Sequence, residues 1–312
     1  MRLTEKLLIQ KIRQAAAHRL SPSEIGIGDD TAVLQLPRGH QALVTTDFTL
    51  EDVHFRRVWH PADAVGHRCL ARGLSDIAAM GGTPRAAFLS LALPQDLSQE
   101  WISGFVRGLL RLASRYDVPL AGGDTAQSPA GILADIVVLG SAPAGKAVLR
   151  SGARVGDLLY VTGTLGSSTA TLLELQQGKK IRPTSRPKHF YPEPRLAVGE
   201  YLREKKLARA MIDISDGLSM DLGHICEESG SGAVIYSEAL PRSPKDSLEL
   251  ALHGGEEYEL LFTAGPDRPV PKQIAGVPVT LIGEIVRGKG MKLARHDGRT
   301  ETLKPGGWQH FS

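Results

Sequence analysis

The stretch GIGDDTAVL (26–34) and the following ALVTTDFTLEDVHF (42–55) place two acidic turns around one predicted strand. Glycine lets the backbone of the first turn bend sharply and approach a ligand closely. Hydroxyl, carbonyl and carboxylate oxygens at the end of a strand are ligands that a hard cation such as Mg²⁺ prefers. The side chains that bring such oxygens here are Asp29, Asp30, Thr45, Thr46 and Asp47. The two turns therefore predict a divalent-cation site.

The pairing of glycine with an acid returns further along the chain. It is found in GLSD (73–76), GGD (122–124), DISDG (213–217) and GGEEYELLF (254–262). One such turn is common, because Asp hydrogen-bonds its own backbone there. The repetition favours a single acidic cleft built from distant segments, in which the acids would repel each other unless cations lay among them. A phosphate-bearing ligand is the natural reason to hold several cations, so an ATP-dependent kinase or ligase is the leading class.

Length and composition predict an ordinary soluble globular protein with two domains, 1–145 and 146–312. A net charge of +3 indicates neither nucleic-acid nor membrane binding. The stretch MRLTEKLLIQKIRQ (1–14) alternates charged and apolar residues, so it is neither a signal peptide nor a membrane span. Cys69 and Cys226 lie in helical patterns and are interpreted as two buried thiols. A cytoplasmic location is expected.

The hydrophobic periodicity predicts an α/β (α+β) fold. In the first half it predicts a helix up to about His18, a strand ending at Asp47, a helix from Pro61 to Met80, a strand over 86–94, a helix over 98–116 and a strand over 132–140, with AGGD (121–124) as an interruption. In the second half it predicts a strand, a glycine turn and a helix within 150–168, a helix through Tyr201, a strand and a helix around 210–218, a strand over 232–237, a helix over 247–255, and strands over 258–264 and 279–285. The proline-dense segment 182–194 is predicted to be an exposed crossing.

The segment GSAPAGKA (140–147) nearly matches the P-loop pattern but lacks its chemistry. Ala147 stands where that loop needs a metal-holding hydroxyl, and Pro143 lies inside the loop. The residues that follow do not show a helical pattern, so a Walker-type NTPase is excluded. Arg150, just beyond, is either a phosphate clamp with a planar donor fork or a solvated surface arginine.

Two further residues have more than one interpretation. His54 is a general base, a substrate contact or a turn residue. Trp308 follows Gly306 and Gly307 and either caps a ligand or packs on the second domain. The ten histidines form no zinc-binding pattern.

The motifs taken together resemble the thiamine-monophosphate kinase family, in family order and over nearly the whole chain. They are GIGDDTAVL (26–34), TTDFTLEDVHF (45–55), LSDIAAMGGTP (74–84), AGGDT (121–125), LRSGARVGD (149–157), DISDGLSMDLGHI (213–225) and GGEEYELLFT (254–263). The resemblance implies the two-domain aminoimidazole-ribonucleotide-synthetase-like fold, with an N-terminal domain that binds metal and ATP and dimerises through its sheet. The C-terminal domain would complete the ATP and substrate site. The implied reaction is direct in-line transfer of the γ-phosphoryl of ATP to thiamine monophosphate, assisted by several Mg²⁺ ions and without a general base.

The resemblance also implies a role for each matching residue. The metal ligands would be Asp30, Thr45, Thr46, Asp47, Asp76, Asp124, Asp213 and Asp216. The ATP contacts would be Tyr116, Gly123, Asp124, Arg150 and Ser215, and the substrate contacts would be His54, Glu256 and Trp308. The chain departs from the family in two places. Glu257 replaces the Asp of a Gly-Gly-Glu-Asp turn, and EDVHF (51–55) replaces a glycine-containing lead-in to the histidine.

Two other functions compete with this one. A sibling enzyme, aminoimidazole ribonucleotide synthetase or selenophosphate synthetase, would share the architecture and the ATP cleft. The selenophosphate enzyme needs a reactive cysteine near the N-terminus, whereas no cysteine precedes Cys69. A non-catalytic nucleotide-sensing dimer would lack some acids of the cleft, and here none of the motif acids is missing.

Overall fold

The computed structural model describes residues 5–16, 24–27, 31–243 and 247–308. The chain divides into two compact units, each containing helices and strands. Unit 1 comprises Met1–Ile77, Thr83–Gly145 and Phe190–Pro192, and unit 2 comprises Ala78–Gly82, Lys146–His189 and Glu193–Ser312. The separate roles predicted for the two parts stay a prediction.

The helices and strands follow each other in mixed order along the chain. The first half contains α1 (Glu5–Ala16), β1 (His40–Leu50), α2 (Ala62–Ala79), β2 (Thr83–Pro94), α3 (Gln99–Arg115), β3 (Leu120–Ser128) and β4 (Leu133–Pro143). The second half contains β5 (Leu158–Thr162), α4 (Ser167–Gln176), α5 (Pro187–Phe190), α6 (Leu196–Glu204), β6 (Ala208–Asp213), α7 (Leu218–Ser229), β7 (Gly232–Tyr236), α8 (Leu248–His253), β8 (Leu260–Ala264), β9 (Gln273–Ile274), β10 (Val277–Val286), β11 (Gly290–Ala294) and β12 (Thr300–Leu303).

Unit 1 is built on a four-stranded sheet in the order β1-β4-β2-β3. The β2–β3 pair is parallel, and the other two pairs are antiparallel. Helix α2 covers one face of this sheet at Gly73, where an added Cβ would lie 2.6 Å from Val138 Cγ2. The same helix meets α3 at Gly66, where a Cβ would lie 1.9 Å from the Phe105 carbonyl oxygen. Glycine at these two contacts lets helix, helix and sheet approach closely enough to form one core.

Unit 2 is built on an eight-stranded sheet. Seven strands follow the order β12-β11-β7-β10-β5-β8-β6, and β9 pairs with β10 outside this path. Only the β11–β7 pair is parallel among the pairs of described strands in this sheet. Its buried core joins strand residues such as Leu159, Ile212 and Leu261 to Leu222 of α7 and Leu252 of α8. The acidic turn at 213–217 lies directly before α7, and the acidic turn that begins at residue 254 lies directly after α8.

The structure corrects two predictions near the acidic motifs. AGGD (121–124) does not interrupt the fold but lies inside β3, which pairs in parallel with β2. Gly123 has φ +147°, and a Cβ there would lie 1.8 Å from the Leu89 carbonyl oxygen, so the close approach of β2 and β3 requires glycine at this position. The strand predicted to end at Asp47 continues to Leu50.

The prediction that 182–194 is an exposed crossing is wrong. The segment forms a 3₁₀ turn, Pro183–Ser185, and the short helix α5. His189 is 1% exposed and Phe190 0% exposed. The Phe190 ring lies 5.4 Å from the His60 ring, centroid to centroid, so an aromatic contact outweighs the loop signal of the prolines. The strands β11 and β12 were not predicted.

Two other expectations, the buried thiols and the helix over 98–116, are confirmed. Cys69 and Cys226 are buried free thiols, and burial raises their pKa values to about 12 and about 11. The predicted helix over 98–116 is α3, whose cap Ser98 accepts a hydrogen bond from the Trp101 N–H.

Within the described residues, none of the helices combines the length and hydropathy that a membrane crossing requires.

The burial of Phe190 gives a test of this segment. We expect Phe190→Ala to lower the free energy of unfolding by about 3–5 kcal/mol, because it removes a fully buried aromatic ring. Thr184→Ala, at an exposed position of the same segment, should change it by less than about 0.5 kcal/mol. Urea unfolding of both variants measures the difference, and equal values would show that the segment does not pack as described.

Candidate active site

The acids of unit 1 lie where β1, β4 and α2 meet. Thr45 Oγ1 donates a hydrogen bond to the Asp76 carboxylate of α2. Thr46 Oγ1 donates to Asp135 Oδ1 of β4 at 2.7 Å. Side chains alternate along a strand, so Thr45 and Asp47 share the face of β1 that is turned toward α2. Three predicted residues, Thr45, Asp47 and Asp76, are therefore brought together, whereas Asp135, which was not predicted, binds Thr46 on the opposite face of the sheet.

Asp47 lies in an electrostatically unfavourable position. Burial, together with the negative charge of Asp76, raises the pKa of its carboxyl to about 7. The guanidinium of Arg72 opposes this effect, with its Nε 3.9 Å from Asp47 Oδ1. The Asp47 and Asp76 carboxylates lie close together and favour a bound cation, because a positive charge stabilises their ionised forms.

Gly123 and Asp124 line a small cavity of unit 1. This cavity has a volume of about 100 Å³, and its wall also includes Leu89, Leu120 and Thr125. Asp124 Oδ1 accepts a hydrogen bond from its neighbour's N–H at 2.8 Å, which fixes the rotamer of the carboxylate. Tyr116 forms the C-cap of α3.

The turn after β1 holds His54 through its ring. His54 Nδ1 accepts a hydrogen bond from the Leu50 N–H at 2.9 Å, so the neutral ring carries its proton on Nε2. The His54 carbonyl accepts from Arg68 Nη2 at 3.4 Å, and Arg68 is itself buried. The histidine is thus part of the turn, and its role toward a substrate stays a prediction.

In unit 2 the two acidic turns lie side by side. The first follows β6, which ends at the buried Asp213. The Glu256 N–H donates to the Ser215 carbonyl at 2.7 Å, and the Tyr258 N–H donates to the Ile214 carbonyl at 2.9 Å. The main chain of one turn therefore positions the other, and the predicted residues Asp213, Ser215 and Glu256 share one edge of the sheet.

An acid that sequence reasoning missed fixes the first of these turns. Asp221 Oδ2 accepts hydrogen bonds from the N–H groups of Gly217, at 3.1 Å, and Asp216, at 3.3 Å. Burial raises the pKa of Asp221 to about 7, and the nearby charge of Asp216 contributes. Its place in the first turn of α7 is the signal that could have identified it as a capping residue.

The second turn sends two buried glutamates into the interior. Glu259 accepts hydrogen bonds from Arg195 at 2.7 Å through each of its oxygens, and Lys188 Nζ lies 2.9 Å from Oε1. Glu257 Oε1 accepts from the N–H groups of Gly166 at 3.0 Å and Ser168 at 3.1 Å. Glu257 therefore caps the N-terminus of α4 and satisfies two of the N–H groups at that helix end.

The pKa values of the two glutamates are shifted in opposite directions. Burial raises the pKa of Glu257 to about 7, although the charge of Lys188 opposes the rise. Burial also acts on Glu259, but hydrogen bonds from Arg195 and the charge of Lys188 outweigh it and hold the pKa below its ordinary value. Lys188 and Arg195 could not be identified from sequence, since both lie in or beside a proline-rich segment.

The remaining predicted residues lie near these turns or on the surface of unit 2. The Trp308 N–H donates to the Asp216 carbonyl at 3.2 Å, and Trp308 is 51% exposed. Arg150 is exposed, and its carbonyl accepts from Ser229 Oγ at 3.3 Å. No helix follows Lys146 before α4, which agrees with the rejection of a P-loop.

In the described part of the chain, no three His, Cys, Asp or Glu side chains gather into a set that could hold a metal ion. Asp30, a predicted metal ligand, lies outside the described residues. The ligand roles of the other predicted residues stay predictions.

Both units match models of one class of proteins. Residues 28–142 match the N-terminal domain of AIR synthase related proteins, and residues 154–296 match the C-terminal domain of the same class. The hydrogenase maturation protein HypE in complex with ATP has the same fold, with a TM-score of 0.79 at 18% sequence identity over 95% of this chain and 94% of that one.

Within this class, the chain belongs to the thiamine-monophosphate kinase family. It is 39% identical to thiamine-monophosphate kinase of Escherichia coli K12, over 93% of this chain and 92% of that protein. It is 34% identical to the Bacillus subtilis protein of the same name, over 97% and 98%. The structure of AaThiL complexed with AMPPCP and TMP superposes with a TM-score of 0.79 at 34% identity, over 100% and 99% of the two chains. The predicted fold class is thereby confirmed.

The raised pKa of Glu257 makes stability depend on pH. Its folded-state pKa of about 7 lies above the ordinary value of 4.5. The stabilisation by the protonated form is therefore complete below about pH 4.5 and is lost as the pH rises through about 7. We expect Glu257→Gln to reduce the difference in unfolding free energy between pH 5 and pH 8 by on the order of 3 kcal/mol.

The matched control is Glu259→Gln. Since the pKa of Glu259 is lowered, its charge stabilises the fold at both pH values, and the variant should lose stability at both. Urea unfolding at the two pH values measures each effect. An unchanged pH dependence in Glu257→Gln would contradict the assignment of the titrating group.

Proposed function

We propose that this chain transfers the γ-phosphoryl group of ATP to thiamine monophosphate, giving thiamine diphosphate and ADP. The observation that carries the proposal is the grouping of Thr45 and Asp47 with Asp76 on one side of the sheet of unit 1. A family member complexed with AMPPCP and TMP supports the same pair of ligands.

Mg²⁺ is the cation that we assign to these acids, and the donors present are hydroxyl and carboxylate oxygens of the kind it prefers. It usually binds through one or two carboxylates together with substrate phosphates and water, rather than in an all-protein cage. The residues that would hold it in unit 1 are Thr45, Thr46, Asp47, Asp76 and Asp124, with Asp30 outside the described residues, and those in unit 2 are Asp213 and Asp216.

Bound cations would neutralise charge on the phosphate oxygens, and the protein's own residues would position the two reactants. A terminal oxygen of the thiamine monophosphate phosphate attacks the γ-phosphorus of ATP in line. The bond from that phosphorus to the β–γ bridging oxygen breaks, and ADP leaves with the electron pair. No general base is needed, because a phosphomonoester has a second pKa of about 6 and is already anionic near neutral pH.

The binding roles follow the positions described above. Gly123 and Asp124 would contact ATP beside the cavity of unit 1, where the absence of a side chain at Gly123 lets the strand backbone approach. The remaining ATP contacts would be Tyr116, Arg150 and Ser215, and the thiamine monophosphate contacts would be His54, Glu256 and Trp308. The indole of Trp308 is exposed enough to stack on a thiazolium cation.

A homodimer through unit 1 is part of the proposal. Strand β1 is an edge strand, and its exposed face carries Val44 (68% exposed) and Phe48 (55% exposed). Val44 lies opposite Leu139 in the sheet, which continues the apolar surface onto β4. A second copy of this chain is the partner that the family resemblance favours, and it would remove this surface from water. We also expect the enzyme to act in the cytoplasm.

Formation of thiamine diphosphate tests the function directly. Purified protein should convert ATP and thiamine monophosphate to ADP and thiamine diphosphate in a Mg²⁺-dependent manner, as measured by chromatography. Asp47→Asn should lower kcat by at least about 100-fold, because it removes a proposed ligand of a group that stabilises the transition state. The melting temperature without metal should stay equal or rise, since the variant removes a carboxylate that faces Asp76.

Asp96→Asn is the control, because Asp96 is an exposed acid of the same unit. It should leave both activity and melting unchanged. Near-normal turnover of Asp47→Asn at saturating Mg²⁺ would contradict the assignment of Asp47 as a metal ligand. Hydrolysis of ATP without any thiamine diphosphate would favour a sibling enzyme instead.

Sedimentation tests the dimer. The wild-type protein should sediment as a dimer at micromolar concentration, whereas Phe48→Lys should shift it toward monomer, because a charge would enter an apolar contact. Val58→Lys is the matched control, since Val58 is 85% exposed and lies outside the sheet. A monomeric wild-type protein would refute this part of the proposal.

A further inference from the structure

The C-terminal segment 304–308 is fixed to the start of α7 by one buried hydroxyl group. Ser219, in the first turn of that helix, is 0% exposed. Its Oγ donates to the Gly306 carbonyl at 2.8 Å and accepts from the Gly306 N–H at 3.0 Å. Both main-chain polar groups of one tail residue thus bind a single side chain, so the tail is anchored at a defined point.

His253, the last residue of α8, completes this anchor. Its Nδ1 lies 2.8 Å from Ser219 Oγ. A serine hydroxyl has one proton, which is already directed to the Gly306 carbonyl, so the histidine must be the donor in this contact. The Nδ1–H tautomer or the imidazolium meets this requirement. Its Nε2 lies 3.5 Å from the exposed Glu249, a pair that contributes little stability.

The tail then continues onto the acidic turn of unit 2. An added Cβ at Gly306 would lie 2.6 Å from His253 Nδ1, and one at Gly307 would lie 2.2 Å from the Asp216 carbonyl oxygen. The next residue, Trp308, donates its N–H to that same carbonyl at 3.2 Å. Gly306 and Gly307 therefore let the tail pass close to His253 and to the Asp216 carbonyl. The indole of Trp308 follows directly after these two contacts.

From this geometry we infer that Ser219 and His253 are positioning residues for thiamine monophosphate, acting through Trp308. The inference rests on the proposed function, because it takes Trp308 as a substrate contact. The anchor fixes the backbone of the tail before the substrate arrives, so less conformational entropy is lost when the indole stacks on the thiazolium. We therefore expect loss of the anchor to weaken the binding of thiamine monophosphate and to leave the binding of ATP unchanged.

A double-mutant cycle separates positioning from general stability. Trp308→Ala should raise the KM for thiamine monophosphate by about tenfold, the loss of one cation–π contact, with the KM for ATP unchanged. Ser219→Ala should raise the same KM by roughly three- to tenfold, the range for losing a buried hydrogen-bonding group. The double variant should resemble Trp308→Ala alone, because Ser219 would have nothing left to position.

Histidine variants test the donor requirement. His253→Asn places an amide N–H near the position of Nδ1 and should keep the KM within about twofold of the wild type, whereas His253→Leu should behave like Ser219→Ala. Glu249→Gln removes only the exposed ion pair and is the matched control. Equal loss in the Asn and Leu variants would overturn the donor role.

Fluorine NMR of protein labelled with 5-fluorotryptophan reports on the environment of Trp308 independently of any activity assay. The chain has three tryptophans, so the signal missing from Trp308→Phe identifies residue 308. Ser219→Ala should shift and narrow this signal and leave those of Trp59 and Trp101 in place. An unmoved Trp308 signal, or additive KM effects in the cycle, would overturn the inference. If the wild type makes no thiamine diphosphate, the proposed function fails and the substrate role fails with it, while the NMR result still decides whether Ser219 anchors the tail.

Discussion

The burial of negative charge is the constraint on which both units depend. An ionised carboxylate inside a protein needs a positive partner or hydrogen-bond donors. In unit 2 the protein supplies them, as Arg195 and Lys188 do for Glu259. In unit 1, Asp47 faces Asp76, and Arg72 Nε lies 3.9 Å from its Oδ1, while Asp135 on the opposite face of the sheet adds a smaller repulsion. Paired in this way, the charge of Glu259 stabilises the fold of unit 2, whereas the unit 1 group gains most from a cation that arrives with a ligand.

The helices and strands predicted correctly are those whose local sequence pattern agrees with their environment in the folded protein. Helix α3 has a serine cap and a regular apolar stripe, so its bounds were predicted within one residue. Strand β3 was missed because its glycines oppose strand formation locally, and only its neighbour β2 explains them. The segment 182–194 was misjudged for the opposite reason, since its prolines indicate a loop while Phe190 is fully buried. Tertiary contacts decided both cases.

The candidate site divides in the same way. Its motif acids carry a glycine beside them, a pattern that is visible in one sequence. Their partners carry no such mark, because each lies far away along the chain. Asp135 lies 89 residues from Thr46, and Arg195 lies 64 residues from Glu259. A single sequence can therefore identify the residues offered to a ligand, but the residues that hold them in place become visible only when the strands are paired.

The departure at residue 257 shows why this distinction matters. The resemblance to the family left the role of Glu257 open, because the turn usually carries Asp there. Glu256 and Tyr258 have left-handed φ values of 58° and 51°, so the backbone is strained on both sides of residue 257. Glu257, Tyr258 and Glu259 are all buried, and Glu257 caps α4 through its Oε1. Glu256 hydrogen-bonds to the Ser215 turn through its main chain instead. The substitution thus changes the reach of a buried capping group and leaves the neighbouring Glu256 as the acid of this turn that we assign to the substrate.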